Sequence, residues 1–152
     1  MIDNDILGII EINSDYQESE RVDRIYNNPE IKPISPENSK YKPKLKVISL
    51  DIEVSKETGG LLCIGLYSEN YKKNFIISDK KFPNSVSCKN EPDLLEKFKE
   101  EIIKQDPDII TGYFSDGFDL PYIKARAEKY KIKMDLGLDD TISYQRKKNI
   151  IR

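Results

Sequence analysis

Two acidic side chains interrupt an apolar, β-branched segment of the chain. The segment LKVISLDIEV, residues 45–54, alternates in hydrophobicity and predicts a β-strand. On a strand, Asp51 and Glu53 point to the same face, about 6.6 Å apart at a rise of ~3.3 Å per residue. Like charges at this spacing repel unless a cation lies between them. The pair is therefore a candidate metal site, although incidental acids on an exposed sheet face would give the same pattern.

The composition restricts the chemistry to carboxylates, lysine, tyrosine or metal ions held by oxygen. The 152 residues include no histidine, which excludes Ser-His-Asp and Cys-His nucleophile systems in their usual form and any histidine-containing zinc site. Cys63 and Cys88 lack the spacing of a metal site and are expected to be reduced thiols. Carboxylates suit hard cations such as Mg²⁺ or Mn²⁺.

The bulk composition predicts one charge-rich domain without a membrane partner. Charged residues make up 34% of the chain and apolar residues 38%, with a net charge of −2. No apolar run reaches the ~18 residues of a membrane span, and the acidic start MIDNDILGII lacks the basic region of an export signal. We therefore expect a cytoplasmic protein. The net charge argues against a nonspecific nucleic-acid coat protein but not against a nuclease with an acidic metal site.

The pattern of the chain changes near Leu45. Residues 1–44 are polar, with prolines at positions 29, 33, 36 and 43 that forbid a long helix or a central strand. We expect an irregular or partly disordered arm there, with a short strand at Leu7–Ile12. Residues 45–152 carry regular periodicity and are expected to form the folded domain.

The folded domain begins with a predicted antiparallel meander. After the strand at 45–54, Gly59 and Gly60 predict a turn into a second strand at 61–68, and a third follows at 72–78. Residues 79–90, which include Pro83 and Asn84, are expected to form a loop.

Helical signals follow the meander. Pro92, with Asn90 or Glu91 as a cap, predicts a helix that ends at DPD, residues 106–108. Its apolar stripe is Leu94, Leu95, Phe98 and Ile102. IITGYF, residues 109–114, reads as a buried strand, and a second helix begins near Asp119. The apolar face of that helix is Leu120, Ile123, Ala127 and Tyr130. This order predicts an α/β fold with a mixed sheet.

A second acidic segment, GYFSDGFDLPYI, spans residues 112–123 and opens the second helix. Asp119 precedes Leu120-Pro121, where a helix N-cap acceptor is expected, so capping alone would explain it. Asp116 and Gly117 fit a turn.

Together the two segments resemble the 3′–5′ proofreading exonuclease domain of family B DNA polymerases, archaeal members in particular. Asp51-Ile52-Glu53 resembles its first motif, and the chain from Tyr113 to Tyr122 resembles its second, Tyr-Asn-x-Asp-x-Phe-Asp-x-Pro-Tyr. The matching positions of the second motif are Tyr113, Asp116, Phe118, Asp119, Pro121 and Tyr122. The preceding KQDPDIITGY also resembles the archaeal lead-in.

The resemblance implies a ribonuclease H-like fold, a mixed sheet with flanking helices, truncated here before the last motif. It implies that Asp51, Glu53 and Asp119 are three of four carboxylates that hold two Mg²⁺ or Mn²⁺ ions for hydrolysis of the 3′-terminal phosphodiester of single-stranded DNA. The DNA-binding residues that it implies are Phe114, Asp116, Phe118 and Tyr122. Phe118 would stack on the terminal nucleotide, with core packing as the alternative.

The sequence departs from the family pattern at two places. Phe114 replaces the Asn that helps to position the substrate strand, which leaves either base stacking or a disused site. The third motif, Tyr-x-x-x-Asp, is missing, because none of the later tyrosines has Asp four positions on: Tyr122, Tyr130 and Tyr144. Asp139 and Asp140 come too soon and lie in a polar segment. The apolar Ile150-Ile151 at the end reads as an unfinished strand.

Three functions remain open from the sequence. The chain is expected to be part of a family B DNA polymerase, an enzyme whose remainder comes from the same gene or a split gene, and to be inactive alone. The alternative is a non-catalytic exonuclease-like module that docks a polymerase partner or single-stranded DNA, with the basic run 146–148 near phosphate. A free-standing nuclease is the third.

Overall fold

In the computed structural model the chain forms two compact units, Met1–Lys44 and Leu45–Arg152. The structure describes residues 8–20, 22–35, 37, 40 and 42–136. Several positions named above lie outside these residues: Leu7, Asp139, Asp140, Tyr144, 146–148 and Ile150-Ile151.

The first unit contains a small antiparallel sheet. Strand β1, Ile10–Ile12, pairs with β2, Ile31–Pro33, and Gln17 forms an isolated bridge with Ile25. The sequence predicted β1 but not β2. Pro33 is tolerated because it stands at the end of a strand that has a neighbour on one side only.

The second unit is a mixed five-stranded sheet with two helices, which confirms the α/β prediction. Its strands, in chain order, are β3 (Val47–Val54), β4 (Leu61–Ser68), β5 (Tyr71–Ile77), β6 (Ser85–Cys88) and β7 (Ile109–Thr111), and its helices are α1 (Glu91–Gln105) and α2 (Asp119–Lys129). The order across the sheet is β6-β5-β4-β3-β7. The first three strands form the predicted antiparallel meander, whereas β6 and β7 pair in parallel at its two edges.

Helix α1 buries all of its predicted apolar stripe, and α2 buries two of its four predicted residues, Ile123 and Ala127. Asn90 caps α1 by accepting a hydrogen bond from the Asp93 N–H at 3.0 Å, and Asp106 ends the helix in a left-handed conformation. The predicted stripe of α1 is fully buried against the core residues of the meander, which include Ile48, Leu50, Ile52, Leu61, Ile64, Leu66 and Phe75. Neither described helix is long and apolar enough to cross a membrane.

Two predictions about the sheet were wrong. Residues 79–90 are not wholly loop, because β6 pairs with β5 from Asn74 to Ile77. Such pairing is a tertiary contact that a four-residue polar segment does not reveal. The strand predicted at 109–114 ends at Thr111, and its edge residue Ile109 is exposed.

Gly112 explains where β7 ends. A Cβ atom at this position would lie 2.4 Å from the Leu50 carbonyl oxygen and 3.0 Å from the Ser115 Cβ. The backbone therefore passes β3 so closely that only glycine fits. This close approach directs the chain out of the sheet toward α2.

Replacement of Gly112 by alanine should destabilise the fold. The added Cβ meets backbone, which cannot move aside, so we expect a loss of ~2–3 kcal/mol in the free energy of unfolding, measured by urea denaturation. Gly65→Ala is the matched control on β4, because its Cβ would meet the movable Asn74 side chain at 3.1 Å. Equal stability of the two variants would contradict this account.

The buried carboxylate of Glu101 joins α1 to strand β5 of the sheet. Glu101 is 7% exposed and accepts hydrogen bonds from Lys73 at 2.6 Å, Tyr71 at 2.9 Å and Gln105 at 2.8 Å. Burial raises the pKa of Glu101, but these three donors outweigh it and lower the pKa to about 2. The ionised form is thus the one that the fold stabilises.

This network should make stability depend on pH in the acid range. Because the pKa of Glu101 is lower in the folded than in the unfolded chain, its contribution is complete above the ordinary value of 4.5 and is lost as the pH falls toward about 2. Glu101→Gln should therefore cost on the order of 1–3 kcal/mol at pH 7 and much less near pH 2, measured by urea denaturation. Glu96→Gln, at an exposed position of the same helix, should cost little at either pH. A constant cost of Glu101→Gln at both pH values would refute the assignment.

Candidate functional site

Strand β3 separates an apolar face from an acidic one. Ile48, Leu50 and Ile52 are at most 8% exposed, whereas Asp51 and Glu53 alternate with them and are exposed. The hydrophobic alternation sets this register, because a shift by one residue would bury both acids. The two carboxylates therefore share the face opposite the core, as the sequence predicted.

Asp119 is held beside this acidic face. It is the first residue of α2 and is only 4% exposed. Burial raises the pKa of the Asp119 carboxyl, and the charge of Asp51 raises it further, while its own N–H and the N–H of Ile52 act in the opposite direction. Asp51 and Asp119 thus lie close enough to repel each other although they are 68 positions apart in the sequence.

Asp119 does not occupy the N-cap position that the capping explanation requires. The N-cap residue of α2 is Phe118, and no side-chain capping hydrogen bond is present there. Asp119 is inside the helix, where a negative charge in the first turn interacts favourably with the helix dipole. Its carboxyl interacts with its own N–H and with the Ile52 N–H of β3, within electrostatic range of Asp51.

Glu53 lies two residues after Asp51 on β3 and points to the same face. It is paired across the sheet with Cys63 of β4. Burial raises the pKa of the Cys63 thiol, and the charges of Glu53 and then Asp51 raise it further. No site role was predicted for Cys63. The predicted hairpin was the available signal, because its register brings residues 53 and 63 together.

The three acids do not form one tight cluster. In the part of the chain that the structure describes, no group of three or more His, Cys, Asp or Glu side chains is placed to hold a metal ion. The structure brings Asp51 and Asp119 together, and Glu53 shares the face of Asp51. These hard oxygen donors fit part of a site for a divalent cation.

Three aromatic side chains project from the turn before α2. Tyr113, Phe114 and Phe118 are 96%, 66% and 47% exposed, respectively. Exposure of this degree does not fit the core-packing alternative for Phe118. Aromatic rings exposed next to an acidic site can stack on nucleic-acid bases.

Phe114 adopts a conformation that is unusual for its residue type. Its φ is 58°, in the left-handed region that favours Gly and Asn, the residue of the family motif. The Phe114 carbonyl accepts hydrogen bonds from Gly117 N–H at 3.0 Å and Phe118 N–H at 2.9 Å. A Cβ at Gly117 would lie 2.3 Å from the Phe114 ring, so the ring lies against bare backbone.

The remaining predicted DNA-binding residues differ in what they contact. Asp116 is exposed on the same turn as Phe114. The Tyr122 ring contacts Phe118, with centroids 5.5 Å apart, and its hydroxyl donates to the Gly59 carbonyl at 2.7 Å. The Tyr122 ring therefore packs against the exposed ring of Phe118.

Comparison with known proteins identifies a family. Residues 61–150 match the model of the exonuclease domain of DNA polymerase family B. A DNA polymerase of Methanocaldococcus jannaschii is 36% identical over 104 residues, 64% of this chain and 6% of that protein. DNA polymerase II of Escherichia coli is 32% identical over 107 residues, 66% of this chain and 14% of that protein.

A solved structure supports the fold. The family B DNA polymerase from the hyperthermophilic archaeon Pyrobaculum calidifontis matches 89% of this chain with a TM-score of 0.66 and 20% identity. The match covers 18% of that polymerase, so the chain spans less than a fifth of each of these three relatives. The predicted family is confirmed: the chain belongs to DNA polymerase family B and carries sequence of its exonuclease domain.

Proposed function

We propose that this chain contributes to the 3′–5′ exonuclease part of a family B DNA polymerase, which removes 3′-terminal nucleotides from single-stranded DNA in the cytoplasm. Residues 45–152 are the exonuclease part, and residues 1–44 form an arm ahead of it. The observation that carries the proposal is the placement of buried Asp119 against Asp51. Repelling carboxylates brought together from distant segments are typical of a cation site.

Asp51, Glu53 and Asp119 are proposed as ligands of Mg²⁺ or Mn²⁺. Bound divalent ions supply an activated water and stabilise the leaving 3′ oxygen. In this chain Asp119 is held rigidly at the start of α2, and Asp51 and Glu53 are fixed by the register of β3. The carboxylate set is incomplete in the described residues, so the remainder of the polymerase is proposed to complete it, and the chain alone is expected to be inactive.

The exposed aromatic residues are proposed to hold the DNA. Phe118, backed by Tyr122, precedes Asp119 directly, so a base stacked on its ring would place the adjoining phosphodiester near the acids. Phe114 offers a second stacking surface. Asp116, on the exposed turn, is proposed to lie beside the bound strand.

Charge-neutralising variants test the metal ligands. Asp51→Asn and Asp119→Asn should each weaken Mn²⁺ binding by tenfold or more in calorimetric titration, because each removes an anionic oxygen ligand. Glu96→Gln removes one negative charge from an exposed position of α1, whose buried face packs on the other side of the sheet, and should leave Mn²⁺ affinity unchanged. Equal Mn²⁺ affinity of the wild type and all three variants, or no Mn²⁺ binding at millimolar concentration, would exclude the metal site.

A second candidate function is a non-catalytic module that binds single-stranded DNA or docks a polymerase partner. The specific observation in its favour is that the described residues include no three-ligand metal cluster. Oligonucleotide binding that is indifferent to Mn²⁺ and to Asp51→Asn would select this function. Degradation of single-stranded DNA by the purified chain, abolished by Asp119→Asn, would instead indicate a free-standing nuclease.

Substitution of Phe114 tests the stacking surface. Because stacking contributes about 1–3 kcal/mol per base, Phe114→Ala and Phe114→Asn should weaken binding of a short single-stranded oligonucleotide by roughly 5- to 150-fold in fluorescence anisotropy. Asn tolerates the left-handed backbone, so a weakened Phe114→Asn variant cannot be explained by strain. Phe82→Ala is the control, because its ring is also exposed, at 47%, and lies in a different loop. Unchanged affinity in both Phe114 variants would disprove the stacking role.

A further inference from the structure

One side of α2 attaches the helix to the turn between β3 and β4. Tyr122, Arg126 and Tyr130 are spaced four residues apart and so lie on one side of the helix. The Tyr122 hydroxyl donates to the Gly59 carbonyl at 2.7 Å, 63 positions away in the sequence. We call these three side chains, together with Glu91, the turn clamp.

Glu91 forms the second attachment. Arg126 binds it through two parallel hydrogen bonds of 2.6 and 2.5 Å, and the Tyr130 hydroxyl donates to it at 2.8 Å. The same carboxylate accepts the Leu61 N–H, the first of β4, at 2.9 Å. Burial raises the pKa of Glu91, but the bonds from these donors outweigh it, and the net pKa is lowered. The clamp thus joins α1, α2 and the start of β4 through one ionised group.

The turn is shaped to accept these contacts. Ser55 and Gly60 close it with a backbone hydrogen bond of 2.9 Å, and Gly59 has a φ of 62°. A Cβ at Gly59 would lie 3.5 Å from the Tyr122 hydroxyl oxygen, and a Cβ at Gly60 would lie 3.6 Å from a Glu91 oxygen. The two glycines therefore present backbone directly to the clamp.

The clamp lies between the two acidic segments. The turn begins two residues after Glu53, and Tyr122 is one helical turn after Asp119. The sheet itself does not connect these segments, because β7 pairs with β3 only as far as Ser49 and Thr111. Beyond the close backbone approach at Gly112, the position of α2 beside Asp51 and Glu53 therefore depends on side-chain contacts.

We propose that Tyr122 is a positioning residue: with the Arg126–Glu91 pair it fixes α2 against the β3–β4 turn and so sets where Asp119 lies relative to Asp51 and Glu53. The metal-binding consequence rests on the proposed function, whereas the positioning itself does not. Tyr122 then contributes through its hydroxyl, in addition to the support that its ring gives to Phe118.

Tyr122→Phe isolates this role, because it removes the hydroxyl and keeps the ring. Tyr71→Phe is the matched control: it also removes one partly buried tyrosine hydroxyl bond, that to Glu101 at 2.9 Å, but its strand contacts α1 rather than α2. Arg126→Lys is a second clamp variant that keeps the charge and loses the paired hydrogen bonds. Urea denaturation of all variants corrects each measurement for global stability.

The deciding measurement is amide hydrogen exchange at Ile52, whose N–H faces Asp119, and at Leu61, whose N–H is bonded to Glu91. After correction for stability, the Ile52 amide should exchange at least threefold faster in Tyr122→Phe and in Arg126→Lys than in the wild type. In Tyr71→Phe this amide should not show such an increase. Exchange at Ile52 that is the same in Tyr122→Phe and Tyr71→Phe overturns the proposal.

Calorimetric titration with Mn²⁺ separates the positioning role from the proposed function. A displaced Asp119 should weaken Mn²⁺ binding by roughly 10- to 100-fold in Tyr122→Phe, as expected when a group that orients a ligand is lost. Tyr71→Phe should bind as wild type does. If wild type binds no Mn²⁺ but the Ile52 amide responds as described, the metal site fails and the positioning role stands. Faster exchange at Ile52 combined with unchanged Mn²⁺ affinity would overturn the link between the clamp and the ligands.

Discussion

The burial of Asp119 within electrostatic range of Asp51 is the constraint that the contacts around α2 have to satisfy. A carboxylate that is 4% exposed and faces another carboxylate costs free energy in an isolated fold, because burial and repulsion both disfavour its charge. Hydrogen bonds from the Asp119 and Ile52 N–H groups offset only part of this cost. The remaining cost is offset by the contacts that hold α2 in place. These include the close approach of Gly112 to β3 and the turn clamp.

Phe114 is a second residue whose conformation costs free energy. A phenylalanine at a φ of 58° is less stable than Asn or Gly would be, yet the turn retains it and leaves its ring two-thirds exposed. Bare backbone at Gly117 supports one side of that ring. Strain at an exposed ring does not add stability, and it accords with the stacking role proposed for Phe114 above.

The sequence predicts the central elements because their signals are local. Alternation in β3, the glycine turn, and the stripe of α1 depend on neighbouring residues, and each prediction about them is confirmed. Edge strand β6 and the early end of β7 depend on pairing partners and on one close backbone approach, which leave no pattern in the residues concerned. In the site, the motifs predicted Asp51, Glu53 and Asp119 as one set, whereas the pairing of Glu91 with Arg126 and the position of Cys63 beside Glu53 are recognised only by their contacts.

The exposed acidic face of the sheet supports the proposal that other parts of a polymerase complete the site. Helix α1 packs on β4, β5 and β6, and it buries the face that carries Leu50 and Ile52. The opposite face carries Asp51 and Glu53, which remain exposed in the described part of the chain. Acids on an exposed sheet face are hydrated and take no part in apolar packing, so their oxygen atoms stay accessible to a cation or to cationic groups. The chain belongs to family B through its exonuclease-domain sequence, and in the site proposed above it supplies the acids of β3 and α2 while the rest of the polymerase is proposed to complete the set.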